Sequence, residues 1–153
     1  MSIQHNHLLQ ISNPEYLHEQ AIAIAQYLPD ADSYVTAIYE LMINGIEHGN
    51  LGIGFTTKGL LIRNGEWRQE IQRRLLLPEN ISKHIDIRLS KNGRYHCLTI
   101  SDQGTGFTWE NYVGHPANHK RPHGRGLWLA FNSPFDEIQF NPIGNEVSCI
   151  VRR

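Results

Sequence analysis

The sequence predicts an α+β fold: a two-layer α/β sandwich in which helices pack on a largely antiparallel mixed sheet. Two observations support this prediction. Segments with helical spacing of apolar residues fall mostly within residues 13–79, and segments with alternating apolar residues fall mostly after residue 84. Because the 153 residues contain no internal repeat and no linker, we expect one domain that spans residues 1–153.

The first half of the chain is predicted to be mainly helical. A strand at 7–12 leads into a helix whose first turn Asn13 can cap. A second helix follows and is expected to end at Gly49. Residues 51–59 have the composition of a loop, and a charged helix follows at 64–79 until a proline stops it.

The second half is predicted to hold most of the sheet. Residues 84–101 alternate between apolar and polar side chains and turn at Asn92-Gly93, which is a strong hairpin pair. Residues 108–123 have no regular period and are predicted to be a loop, long for a connector. A helix at 124–132 and a last hairpin complete the domain.

Composition excludes several classes of protein. The net charge of −1 offers no basic excess for nucleic acid or an anionic membrane surface. The two cysteines, Cys97 and Cys149, lie in strand-like segments and are expected to be buried free thiols in a reducing compartment. No apolar run has the length of a signal peptide or a membrane span, so we expect a soluble cytoplasmic protein.

The second helix, predicted over 29–50, carries Glu40, Asn44 and His48 four residues apart on one face. The opposite face holds apolar residues that can pack on a core: Val35, Ile38, Met42 and Ile46. A polar stripe is most often only a solvated face, but these residue types also suit a ligand. The amide oxygen of Asn44 suits Mg²⁺ held beside phosphates, and Glu40 can take a proton from a hydroxyl. His48 can contact phosphate or cap the following loop.

A second motif, Asp102-x-Gly104-x-Gly106, follows directly on a predicted strand. A carboxylate at a strand end can accept hydrogen bonds from an exocyclic amine such as that of adenine. Glycines allow positive φ and a close approach of the backbone to a ligand. The same letters also occur in ordinary Asp-Gly turns, so the motif alone leaves both interpretations open.

The third motif, Gly124-Arg125-Gly126-Leu127, opens the helix after the long loop. Free backbone N–H groups and the helix dipole suit phosphate at such a position. Arg125 can add positive charge. A glycine-rich turn before a helix is common, so this motif is weak by itself.

As an ordered set, the three motifs resemble the Bergerat-fold superfamily of histidine kinase-like ATPases, over residues from about 30 to 150. The match is closest to the bacterial anti-sigma factor serine/threonine kinases, whose Glu-x-x-x-Asn-x-x-x-His-Gly box is similar to residues 40–49. The resemblance implies a Mg-ATP-dependent kinase of a partner-switching system. It further implies as partners an anti-anti-sigma-like protein, a sigma factor or both, without direct nucleic-acid or membrane contact; a homodimer is compatible with it.

The resemblance also implies a role for each motif residue. Asn44 would hold Mg²⁺ against the triphosphate, Glu40 would be the catalytic base, and His48 would lie beside the nucleotide. Asp102 would recognise adenine in a pocket shaped by Gly104 and Gly106. The residues expected to line the phosphates are Gly124, Arg125, Gly126 and Leu127.

Two departures from the family leave alternatives open. Residues 51–82 hold an extra charged helix, which either covers the pocket, makes a partner surface or is only a solvated flank. Arg125 also stands where the family often has a different residue. The alternatives are a non-catalytic ATP-binding interaction module and a detached histidine-kinase catalytic domain. Histidines 115, 119 and 123 suggest a metal by spacing, but prolines among them favour a lid instead.

Overall fold

The computed structural model of the protein describes residues 2–112 and 125–152. Within them, the strands are β1 (Gln4–Ile11), β2 (Ile85–Lys91), β3 (Tyr95–Ser101), β4 (Glu137–Phe140) and β5 (Glu146–Arg152). The α-helices are α1 (Leu17–Ala25), α2 (Val35–Asn44), α3 (Phe55–Arg63), α4 (Trp67–Leu75) and α5 (Arg125–Phe131). No described helix is both long enough and apolar enough to cross a membrane.

The five described strands form one sheet in the order β1-β2-β3-β5-β4. All four pairings are antiparallel, and the predicted α+β class is confirmed. The prediction of a mixed sheet is not met among the described strands, because they include no parallel pair. The hairpin between β2 and β3 is also confirmed, but its two turn residues are Gly93 and Arg94, one position after the predicted Asn92-Gly93 pair, because the Asn92 N–H donates to the carbonyl of Tyr95. The Asn92 side chain fixes this turn by accepting the backbone N–H groups of Arg94 and Tyr95.

The core lies between one face of the sheet and helices α1 and α2. On β2 the alternating residues Ile85, Ile87 and Leu89 are buried, as the alternation predicts. The predicted apolar face of the second helix is confirmed for Ile38 and Met42 of α2 and for Ile46 just after it, none of which has measurable exposure. Val35 is only half-buried. This packing fixes the rotation of α2, and with it the direction of the polar stripe.

The loop predicted at 51–59 is wrong in its second half, because α3 begins at Phe55. None of the residues of α3 is fully buried, so no apolar period marks this helix in the sequence. Two tertiary contacts hold it instead. The Phe55 ring stacks on His48 with centroids 3.7 Å apart, and Lys58 forms an ion pair with Glu47. Short helices commonly depend on such contacts more than on propensity.

The end of the second helix also differs from the prediction. The chain continues past Gly49 as a π-helical turn over Gly45–Asn50, in which the Leu51 N–H donates to the carbonyl of Ile46. The residue with positive φ that follows is Gly52, at 64°. Widened turns of this kind occur frequently at functional sites. The predicted loop at 108–123 lies mostly outside the described residues, and its described part includes a single 3₁₀ turn at Trp109–Tyr112.

Candidate functional site

Asp102 lies directly after β3 and faces the carboxyl-terminal end of α2. Its backbone N–H donates to the carbonyl of Asn145, and its carboxylate accepts the N–H of Gly104 at 2.8 Å. A Cβ built on Gly49 would fall inside the van der Waals radius of all three carboxyl atoms. Position 49 therefore needs glycine. The contact also shows that Asp102 of the second motif lies against Gly49, at the end of the first motif.

Burial raises the pKa of the Asp102 carboxyl to about 6, while the hydrogen bond from Gly104 and the charge of Lys83 act in the opposite direction. A carboxylate that is shielded from water and accepts few hydrogen bonds is stabilised by an additional hydrogen-bond donor. An exocyclic amine is such a donor. The site thus offers a charged acceptor in a partly desolvated position.

The glycines of the second motif permit close packing on both sides of the turn. A Cβ on Gly104 would collide with the backbone carbonyl of Gly49. Gly106 has φ of 84°, and a Cβ there would collide with the carbonyl of Ile143 in the β4–β5 turn. Both contacts involve backbone atoms, which cannot move aside alone. The turn is therefore fixed between α2 and the last hairpin.

Glu40 meets the third motif. Its carboxylate lies against Gly126 in the first turn of α5, where a Cβ would overlap its Oε2 atom. The side chain of Glu40 is half-buried at this helix–helix contact. Glu40 and Gly126, which are more than eighty positions apart in the chain, are thus in contact. The sequence alone does not show that their two motifs meet.

Asn44, one turn after Glu40, has the properties of a metal or ligand contact. Its side chain is 8% exposed, and its Oδ1 has no hydrogen-bond partner within the part of the chain that the structure describes. A buried amide oxygen without a partner is costly, so such an atom often marks a missing ion, water or ligand. One neutral protein oxygen fits Mg²⁺, which takes its other oxygens from phosphates and water. Across residues 2–112 and 125–152, no group of three or more His, Cys, Asp or Glu could hold a metal ion.

His48 has local contacts. Its Nδ1 is hydrogen-bonded to the carbonyl of Ile53, and its ring stacks on Phe55. These contacts correspond to capping of the following loop, which the sequence left as one of two roles. Its expected place beside a nucleotide stays a prediction.

The third motif is described only in part. Gly124 lies outside the described residues, as do His115, His119 and His123, and of Arg125 only the backbone is described, as the first residue of α5. The Leu127 side chain is 2% exposed and belongs to the core. Leu127 was one of the four residues expected to line the phosphates. Because its side chain is buried, only its backbone is available for that role.

Three asparagines that are not among the predicted site residues hold the site together. Asn50 accepts the backbone N–H of Gln103 at 2.7 Å and so ties the end of α2 to the Asp102 turn. Asn145 donates to the carbonyl of Gly104, and Asn141 accepts three backbone N–H groups of the β4–β5 turn. In the sequence Asn50 follows the motif glycine Gly49, and this neighbour is the one signal that points to it. Asn141 and Asn145 belong to the β4–β5 turn and have the composition of ordinary turn residues, so no sequence signal marks them.

Together, the described residues place three polar groups along the second helix and its π-helical extension. These are the part-buried Asp102 carboxylate beside Gly49, the amide oxygen of Asn44 at the last residue of α2, and the Glu40 carboxylate one turn earlier. This set can bind an amine, a divalent cation and a hydroxyl in sequence. Neither the family models nor the curated proteins compared with this chain give a match.

Proposed function

We propose that this protein binds Mg-ATP and transfers the γ-phosphoryl group to a serine or threonine hydroxyl of a small protein partner. The partner would be an anti-anti-sigma-like protein of a bacterial partner-switching system, in the cytoplasm, and the fold would be of the Bergerat type. The observation that carries the proposal is the convergence of all three motifs on α2, with Asp102 against Gly49 and Glu40 against Gly126.

The spacing along α2 supports an extended nucleotide. Glu40 and Gly49 are nine positions apart, which corresponds to at most roughly 14 Å of helix axis at the α-helical rise of about 1.5 Å per residue, because the π-helical turn from Gly45 rises less. Adenosine triphosphate in an extended conformation spans a similar length. Adenine at Asp102 would then leave the terminal phosphate near Glu40, with Asn44 between them.

Each residue contributes a different interaction. The Asp102 carboxylate would accept a hydrogen bond from the adenine amine, and guanine presents a carbonyl at that position instead. The Asn44 oxygen would hold Mg²⁺. The bound ion would neutralise charge on the phosphate oxygens, which is a large part of catalysis in phosphoryl transfer.

Glu40 would orient the acceptor hydroxyl and take its proton. The hydroxyl oxygen forms a bond to the γ-phosphorus, and the bond from that phosphorus to the bridging oxygen breaks. The products are a phosphoserine or phosphothreonine and ADP, with the proton on Glu40. A carboxylate in hydrogen-bonding reach of the hydroxyl is the geometric requirement for this role.

The experiment is a comparison of nucleotide binding and phosphotransfer in Glu40→Gln. This change keeps shape and hydrogen-bonding reach but removes the base, so ATP affinity should remain while transfer falls by about 10²-fold or more. Glu19→Gln, the same change on the exposed face of α1, serves as the control and should alter neither. Unchanged transfer in Glu40→Gln would disprove the base assignment. Binding of ATP and partner without any transfer by the unmodified protein would favour the non-catalytic module.

A further inference from the structure

A cavity of about 290 Å³ adjoins the turn that follows Asp102, where Gln103, Gly104 and Thr105 line it. Its other walls are residues 49–52, after the second helix, and the segment from the end of α4 to Lys83. Asp102 and α2 do not line it, so the cavity is separate from the proposed nucleotide face. The volume lies close to the lower end of the range usual for ligand sites, about 300–1,000 Å³, and suits a small ligand.

A buried amide donor without a partner lines this cavity. Asn50 is 3% exposed, and its Oδ1 accepts the backbone N–H of Gln103 at 2.7 Å. Because that bond fixes which end of the amide is the oxygen, the other end is a donor. This Nδ2 has no hydrogen-bond partner among the residues that the structure describes. A buried N–H group without an acceptor is costly, so we expect an acceptor from outside the chain at this place.

The carboxylates beside the cavity are used by the two arginines of α4. Glu70 accepts hydrogen bonds from Arg73 and Arg74, at 2.6 and 2.7 Å. Glu79 lines the cavity and acts on the same group of charges: the hydrogen bonds and charge of Glu70, and after them the charge of Glu79, raise the pKa of Arg73. These side chains therefore balance one another, with two cations against two carboxylates.

Lys83 is the cation that remains. It lines the cavity, is half-buried, and forms no ion pair with any residue in 2–112 or 125–152. Its ammonium donates to the backbone carbonyl of Asn50 at 3.2 Å. A carbonyl is neutral and occupies one of three N–H groups, so Lys83 keeps its charge and two donors. Since its partner is the backbone of Asn50, this charge lies close to the unpartnered amide of the same residue.

We propose that the cavity binds a small oxyanion, a phosphate or a carboxylate, which accepts hydrogen bonds from the Lys83 ammonium and the Asn50 amide. A charged acceptor would satisfy the buried N–H and offset the charge of Lys83 together, and hydrogen bonds between charged groups are among the stronger ones in proteins. A water molecule would do only the first. The binding does not depend on the proposed kinase function, because every group that makes the site belongs to the folded chain.

An anion at this place should also act on Asp102. The charge of Lys83 lowers the pKa of the Asp102 carboxyl, against the larger effect of burial. An anion beside Lys83 offsets that charge, so the pKa should rise and more of the carboxyl should be protonated near pH 6. If Asp102 binds adenine, as proposed above, the anion should weaken ATP binding, and ATP should weaken anion binding by the same factor.

The test is an NMR titration of the ¹⁵N-labelled protein with sodium phosphate and, separately, with sodium acetate, each compared with sodium chloride at equal ionic strength. At least one anion should bind with a Kd of about 1 mM or lower. Saturable shifts should appear at the Asn50 side-chain amide and at the backbone amides of Gly52 and Thr105, which line the cavity. The salt that produces them identifies the ligand as a phosphate or a carboxylate.

Two variants test the two donors separately. Asn50→Asp keeps the acceptor for the Gln103 N–H but replaces the donor with a second oxygen, so affinity should fall by at least about tenfold. Lys83→Met keeps a similar length and removes the charge, and it should cause a loss of similar size. Lys91→Met, the same change at a half-buried lysine at the other end of β2, should leave affinity unchanged.

Three outcomes would overturn the anion site. These are no saturable shift with either anion, equal affinity in Lys83→Met, and shifts confined to the Asn44 side chain and Gly126, which would place the anion at the proposed nucleotide face. The effect on Asp102 is measured by ¹³C NMR of its carboxyl across pH, where an unchanged pKa at saturating anion would disprove the coupling. Calorimetric titration with Mg-ATP separates the two proposals, because a failure of ATP binding would disprove the kinase function and leave the anion result standing.

Discussion

Asp102→Asn should stabilise the protein in the absence of ligand. Burial raises the carboxyl pKa from 3.8 to about 6. A shift of about two units corresponds to a ceiling of roughly 3 kcal/mol, and since the side chain keeps some contact with water we expect about 1–2 kcal/mol. A raised pKa in the folded state favours folding below about pH 4, and this contribution is lost as the pH rises through about 6. Asparagine avoids that loss and keeps an oxygen for the Gly104 N–H.

Urea denaturation at a series of pH values measures this effect. At about pH 7.5 the variant should unfold at higher urea, and the difference should vanish below about pH 4, where both side chains are neutral. ATP binding should change in the opposite sense. The wild-type affinity should rise with pH between about 5 and 7 as the acceptor ionises, and the variant should bind more weakly with no such rise. A variant that is no more stable than the wild type at neutral pH would show that the carboxylate is not desolvated.

Three further substitutions distinguish backbone packing, positioning and burial of charge. Gly104→Ala should destabilise the fold by about 2 kcal/mol or more in thermal denaturation, because the added Cβ meets a backbone carbonyl. Gly126→Ala should cost about 1 kcal/mol or less but lower phosphotransfer, because its Cβ meets only the movable end of the Glu40 side chain; equal stability loss in both variants would contradict this contrast. Lys58→Met should cost about 2–3 kcal/mol in urea denaturation, and adding Glu47→Gln should recover much of it, since the loss comes from an unpaired buried carboxylate.

Periodicity was sufficient to predict the parts of the fold in which burial follows the local sequence. The alternation in β2 and the apolar stripe of α2 predict their buried faces, because each pattern has the period of its own element. The sequence also placed the first two motifs on a helix and at a strand end, where they lie, and the described part of the third, from Arg125 on, lies at a helix start as predicted. Spacing alone could not show that Glu40 meets Gly126 or that Asp102 meets Gly49.

The parts that the sequence did not predict depend on long-range contacts. The α3 helix has no buried stripe and exists through the contacts of Phe55 and Lys58 with the end of α2. Asn50 bridges to Gln103 over more than fifty residues, and a single asparagine has no periodicity that could reveal such a bridge. The cavity between residues 13–15 and helix α4 has the same origin, because its two walls come from opposite ends of the helical half of the chain.

Calorimetric titration of the unmodified protein with ATP and with GTP, each with and without Mg²⁺, addresses the nucleotide assignment itself. If Asp102 recognises adenine and Asn44 holds the ion, ATP should bind saturably at one site, more tightly with Mg²⁺, and GTP should bind at least about tenfold more weakly, a difference of roughly 1.4 kcal/mol. Asn44→Ala should remove most of the Mg²⁺ dependence. Equal affinity for both nucleotides, or no binding of ATP, would contradict the assignment.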